Sequence, residues 1–446
     1  MASSIFWDFT LPNSATWFYF SLFLAVALFF QFSRLLTVRN LDLVTLFLFV
    51  PGFLFIQDAN ALALRGADDR AERYAGYGWL LAASLYWFVR CLVDLASPRR
   101  PLVSPNLSPA GLIWFGAVLF AGLVAVAFGT SADPWQNVGR TPAALSGMQA
   151  GAAAVMSQAR GSGGADPAGD AATAGSARFW VERSLATVCH AAVVAGLFLI
   201  GYRLFDDLPT GLAAAALYLL LPYTAYHIGQ IHHVWPAGLT LWAVYLYRRP
   251  TWAGALLGLA AGTTFFPLFL LPAWAQFYRT RGLARFLLGF AGSWLVGLAA
   301  TLGVLTWAGQ FPDGMWQALH LADWQPWRVP TAESIWTNVY WGYRIPVVAL
   351  YVAFVLTSLW WPRVRNLGQL VAVSAAVMIG VQFWFADRGG LYVLWYTPLL
   401  VVLVLRPNLA DWHAVDPGPW PAAVGRVARW AARRVRLPQF GGLELR

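Results

Sequence analysis

The chain has 446 residues, of which 59% are hydrophobic and 16% aromatic while only 11% are charged, and its mean hydropathy is +0.57. A soluble globular domain carries about a quarter charged residues, so this composition excludes a soluble enzyme and implies an all-α, polytopic transmembrane bundle. The net charge is +10 with every basic residue an arginine, which raises nucleic acid as a partner, but the excess sits on a tail and no basic domain exists to read it.

A membrane span needs roughly 20 apolar residues. On that ruler the runs are 17–33, 41–57, 76–95, 111–129, 184–202, 211–226, 234–247, 252–264, 266–278, 286–307, 345–361, 370–385 and 391–405. They predict about 11–13 spans, because the pair around Thr263, Thr264 and Pro267 is short enough to be one broken element. The first run has no arginine before it and no small-residue cleavage site, and reads as a retained span. Cys91 and Cys189 lie in apolar runs and form no disulfide framework or zinc motif.

Arginine placement orients the bundle. Arg34 and Arg39, Arg99 and Arg100, Arg203, Arg248 and Arg249, Arg279 to Arg285, and Arg363 and Arg365 fall in alternate turns. With those turns inside, the N-terminus is outside and the C-terminal tail is inside. That tail carries Arg426, Arg429, Arg433, Arg434 and Arg436, a cluster suited to anionic lipid. Segments 58–75, 131–183 and 309–344 then lie outside.

These outer segments differ in kind. Residues 161–177 are a Gly- and Ala-rich linker, without the strand, helix and Lys that a phosphate loop requires. Segment 309–344 interleaves Trp316, Trp324, Trp327, Trp336 and Trp341 with Asp313, His320, Asp323, Arg328, Glu333 and Arg344. Aromatic faces suit sugar rings and Arg suits phosphate, whereas an aromatic belt at the bilayer surface needs few interleaved charges. The apolar stretch 221–274 carries His227, Gln230, His232 and His233 beside Tyr223 and Tyr226. Polar groups near hydrocarbon mark a functional site, and the topology puts them on the outer rim, opposite Arg248 and Arg249. No metal is expected there, since adjacent histidines on a helix diverge and no carboxylate stands at ligand spacing.

The run ERSLATVCHAAVVAGLFLIGYRLFDDLPTGLAAAALYLLLPYTAYHIGQ resembles the core of the GT-C glycosyltransferases: Arg183 opening a span, Tyr202 to Phe205 at a turn, an Ala run at 213–216, and Pro222 before a polar patch. YLYRRPTWAGALLGLAAGTTFFPLFLLPAW is similar to the branch that uses polyprenol-phosphate-mannose, with Thr263 and Thr264 where that branch often has Lys. Glu333 to Trp336 resembles a short motif of its late outer loop. The resemblance implies a GT-C-like organisation: N-terminal spans over 1–108, a core over 109–308, a Trp-rich loop over 309–344, further spans over 345–405 and a basic tail over 406–446.

It also implies an inverting hexosyltransferase that takes a hexose such as mannose from a polyprenyl-phosphate donor, with no further cofactor. The acceptor would be a lipid, glycan or protein on the outer face of a bacterial inner membrane. The family's catalytic Asp falls on Asp133 by position, with Asp58 as rival. Arg183, Arg328 and Arg344 would bind the donor phosphate, and His227, Gln230, His232, His233, Trp324 and Trp327 would line the sugar site. A lipid-linked-sugar flippase or other transporter, and an inactive GT-C-like scaffold, are the alternatives.

Overall fold

The structure is a computed structural model describing residues 14–96, 105–129, 167–307, 327, 334–337, 339–361, 363, 366–386, 388–416 and 418. Every regular element among them is helical: α1 (Ser14–Phe29), α2 (Val38–Thr45), α3 (Val50–Leu64), α4 (Arg70–Asp94), α5 (Pro109–Gly129), α6 (Pro167–Leu199), α7 (Leu208–Leu220) and α8 (Pro222–Tyr226). There follow α9 (Ile231–Tyr245), α10 (Pro250–Thr264), α11 (Leu271–Tyr278), α12 (Leu283–Trp307), α13 (Arg344–Thr357), α14 (Leu367–Trp384) and α15 (Thr397–Leu405). Local chemistry sets several starts. Thr37, Asp207 and Asn366 each accept a backbone N–H in the first turn of α2, α7 and α14, satisfying donors that helix geometry leaves orphaned.

Six helical stretches are long and apolar enough to cross a membrane: Val38–Leu64, Arg70–Asp94, Pro109–Gly129, Phe179–Leu204, Leu283–Trp307 and Leu367–Trp384. That marks a membrane protein. The thirteen apolar runs of the sequence all fall on helix, yet several make short helices. Apolarity does not report backbone continuity: Leu221 turns extended before Pro222, and Phe265 takes φ 62° between α10 and a 3-10 turn at Phe266–Leu270.

The long helices differ in burial, and several short helices lie in the interior. The apolar window of α12 is only 17% buried, whereas that of α14 is 89% buried, and α7, α9 and α15 are buried along most of their length. At 1.5 Å per residue α7 reaches about 20 Å and α15 about 14 Å, well short of a hydrocarbon core of about 30 Å. The interior helices therefore stop early, and their connections carry polar side chains into the body of the bundle.

Two ends follow from the contacts. At one, Arg90 forks onto Asp42 at 2.7 and 2.8 Å, Arg406 reaches Asp94 at 2.6 Å, and Leu367 N donates to Trp412 O. At the other, Phe53 packs on His227, Trp395 Nε1 donates to His232 O, and Arg344 Nε donates to Trp384 O. These are the arginine end and the histidine end.

Candidate functional site at the histidine end

Leu221 ends α7 in extended conformation, Pro222 starts the single turn α8, and the chain then crosses to α9 through His227–Gln230. The turn is held by His227 Nδ1 and Gln230 Oε1 at 2.7 Å. With Nδ1–H as donor to that carbonyl, His227 Nε2 is left as an acceptor. It is buried without a hydrogen-bond partner among the described residues, and so is His233 Nδ1. An unpaired buried polar atom costs on the order of 1–3 kcal/mol, and these nitrogens are among the polar groups of this end left without a hydrogen-bond partner among the described residues.

The rings form a column. His227 stacks on His233 with centroids 3.8 Å apart and planes 23° apart, His233 faces Tyr392 at 5.1 Å, and Tyr392 stacks on Trp395 at 4.3 Å. Phe266 follows at 4.8 Å from Trp395. His232 lies 4.4 Å from His233, so the adjacent histidines do not diverge as their spacing in sequence implied: α9 begins at Ile231, and both rings lie in its first turn. Two imidazolium charges about 4 Å apart repel by about 4 kcal/mol at a protein-like dielectric, so the stack works through hydrogen bonding and ring faces. Among the described residues no three His, Cys, Asp or Glu side chains converge as metal ligands.

Charge comes from two arginines. Arg183, on α6, is buried against Gly229, where its guanidinium occupies the space a Cβ would take, and it lies over the Phe179 ring at 5.2 Å. Arg388 is half-buried in the turn between α14 and α15, four positions before Tyr392 of the column. Its φ is 51°, and Phe265, next in sequence to Phe266 of the column, has φ 62°. Such backbone outliers cost on the order of 1–3 kcal/mol and cluster at functional sites. The turn is braced by Gln382 Oε1, which accepts from Gly390 N at 2.9 Å.

Not every residue picked from the sequence arrives here. His227, Gln230, His232 and His233 are 3–5% exposed, so they are interior and not a rim; the short interior helices draw their connections inward. Arg344 is fully buried, with Nε on Trp384 O at 2.7 Å, and acts as a clamp between α13 and α14. Trp327 is 61% exposed. Asp58 is on the exposed face of α3, about 140° round the helix from Phe53, which touches His227. Asp133, Trp324 and Arg328 lie outside the described residues.

Four participants went unread in the sequence: Arg388, Tyr392, Trp395 and His190, the last with Nδ1 2.8 Å from Tyr218 OH. An Arg followed by Gly-Gly and two aromatics after a span was the available signal for the first three. No family model, curated protein or solved structure matches the chain.

Proposed function

We propose that the chain is an integral-membrane glycosyltransferase of GT-C-like organisation, moving a hexose from a polyprenyl-phosphate donor to a lipid, glycan or protein acceptor on the non-cytoplasmic face of a bacterial inner membrane. The observation that carries this reading is the pairing of two arginines with a buried column of rings bearing unpaired acceptors, inside an all-helical membrane bundle. Arg183 and Arg388 hold the donor phosphate by charge-assisted hydrogen bonds. Tyr392 and Trp395, stacked behind His233, hold the histidines in place, and His227 Nε2 accepts from one of the sugar's hydroxyls. The acceptor hydroxyl oxygen attacks the anomeric carbon as its proton passes to a carboxylate. The anomeric C–O bond to phosphate breaks, and polyprenyl phosphate leaves with the bonding pair. Asp133 is assigned as that carboxylate, since Asp58 turns away from the column.

General-base assistance contributes about 10²–10⁴-fold. With the full chain in nanodiscs, polyprenyl-phosphate mannose and a short glycan acceptor, Asp133→Asn lowers kcat by at least about 100-fold, while Asp58→Asn leaves it within about twofold. Loss on Asp58→Asn with retention on Asp133→Asn reverses the assignment. Asp58 facing away also favours a second reading, a lipid-binding scaffold without turnover; donor bound by the wild type with no product from any acceptor tried establishes it.

A further inference from the structure

At the arginine end, the turns after α11 and α13 and the segment after α15 enclose a cleft of about 660 Å³. Its position follows from local anchoring. Tyr278 closes the eight-residue α11 by donating from its hydroxyl to Tyr247 O. Trp412 lies under the Arg248 guanidinium at 5.2 Å, and its carbonyl accepts from Leu367 N at 2.8 Å. These contacts fix His413 opposite Arg279 and Arg281, with Arg363 and Trp360 completing the wall.

Among the described residues the arginines of this cleft have no compensating carboxylate. Several other arginines at this end have partners: Arg90 has Asp42, Arg406 has Asp94, Arg39 has Val404 O, Arg248 has Tyr247 OH, and Arg285 has Gly418 O, whereas the exposed Arg34 and Arg249 stand outside the cleft. The side chains of Arg279, Arg281 and Arg363 have no hydrogen-bond or ion-pair partner among the described residues. Asp411 and Asp416, which flank His413 in sequence, are exposed and form no ion pair with them among those residues. Three exposed guanidinium groups held round one concavity repel one another unless an anion joins them, and a phosphate matches their planar fork geometry.

The surroundings indicate what carries that phosphate. Trp360 and Trp361 are 65% and 71% exposed at the end of α13, and the same helix exposes Leu350 and Leu356 along its length. Exposed tryptophans beside an apolar helix face mark the boundary between headgroups and hydrocarbon. A cleft of this volume accommodates a small polar group.

We propose that this cleft is a phosphate-binding site that takes the headgroup of an anionic lipid, with its acyl chains lying along α13. Free inorganic phosphate is the other source of the same chemistry. The site is remote from the histidine end and does not depend on the glycosyl-transfer reading.

The test uses the full chain in nanodiscs or detergent, with native mass spectrometry of bound lipid and thermal melting as readouts. Wild type is compared with the triple variant Arg279→Gln/Arg281→Gln/Arg363→Gln, with Thr280→Trp, which fills the cleft, and with a control, Arg34→Gln/Arg249→Gln, that removes two exposed arginines elsewhere. Wild type and control retain phosphatidylglycerol in preference to phosphatidylcholine. The triple variant loses roughly 100-fold in affinity, since each basic residue near an anionic group contributes a factor of about five, and Thr280→Trp loses binding with all arginines present. Inorganic phosphate that raises the wild-type Tm, but not that of the triple variant, without competition from lipid assigns the site to free phosphate. Phosphatidylglycerol bound by the triple variant within about twofold of wild type, at unchanged helicity, overturns the proposal, as does a wild type that binds neither probe.

Discussion

Arg183 shows how much a single side chain's position depends on its neighbour. Its guanidinium occupies the volume in which residue 229 would place a Cβ, so the glycine is the reason the arginine can lie beside the His227–Gln230 turn. Gly229→Ala pushes the guanidinium away while leaving the helices untouched. Donor affinity in nanodiscs then falls roughly tenfold, comparable to the 1–2 kcal/mol of one charge-assisted hydrogen bond. Arg183→Ala has the same effect, and combining the two adds little, because residues acting through one contact are not additive. Additive losses would separate Gly229 from Arg183. At this scale the histidines were legible as polar residues in an apolar stretch. Their partners were not: Trp395 meets His232 across 163 positions, and nothing in local periodicity encodes a contact that the tertiary fold creates.

Among elements, α10 and α12 form the most intimate pair, and the cause is a stripe of small residues. Gly254, Gly258 and Gly262 recur every fourth position on α10 and face Gly289, Ser293 and Gly297 on α12. Between helices in lipid, where apolar contact brings no gain over the acyl chains, close backbone approach provides the association. A Cβ at residue 258 would meet the Phe290 carbonyl, which is backbone and cannot rotate aside. Gly258→Leu forces the helices apart and costs about 1–3 kcal/mol by overpacking, read as a lower Tm in detergent; Gly292→Leu, at a position with open space around it, leaves Tm unchanged. Equal effects of the two substitutions would refute close packing as the source of the pair's stability. The stripe was visible in the sequence as AGALLGLAAG, and the break after it as a Thr-Thr-Phe-Phe-Pro interruption. The lengths of the interior helices were not, since hydropathy is the same on both sides of Leu221 and Phe265 while the backbone is not.

Across the whole molecule, the two ends have different chemistry, and the arginine end is tied together by a buried network that no motif announced. Asp42 on α2 and Asp94 on α4 share Arg90, and Asp94 also holds Arg406, 312 positions away, at the exit of α15. Two acids and two bases balance, with side chains 12% exposed or less. The sequence analysis singled out none of these four residues; in the structure they fasten the first helices to the last. Desolvating ions is expensive, so an intact pair adds little net stability, whereas removing one partner strands the other and costs about 3–5 kcal/mol. Asp94→Asn, isosteric but uncharged, therefore lowers the unfolding free energy from urea titration in detergent by that amount, and Asp94→Leu/Arg406→Met recovers much of the loss by removing both charges. Because the network stands at the far end from the ring column, the proposed glycosyl transfer, measured below the melting temperature, keeps its kcat in both variants. A fall in kcat with unchanged stability would instead couple the two ends of the bundle and make the network part of the reaction cycle.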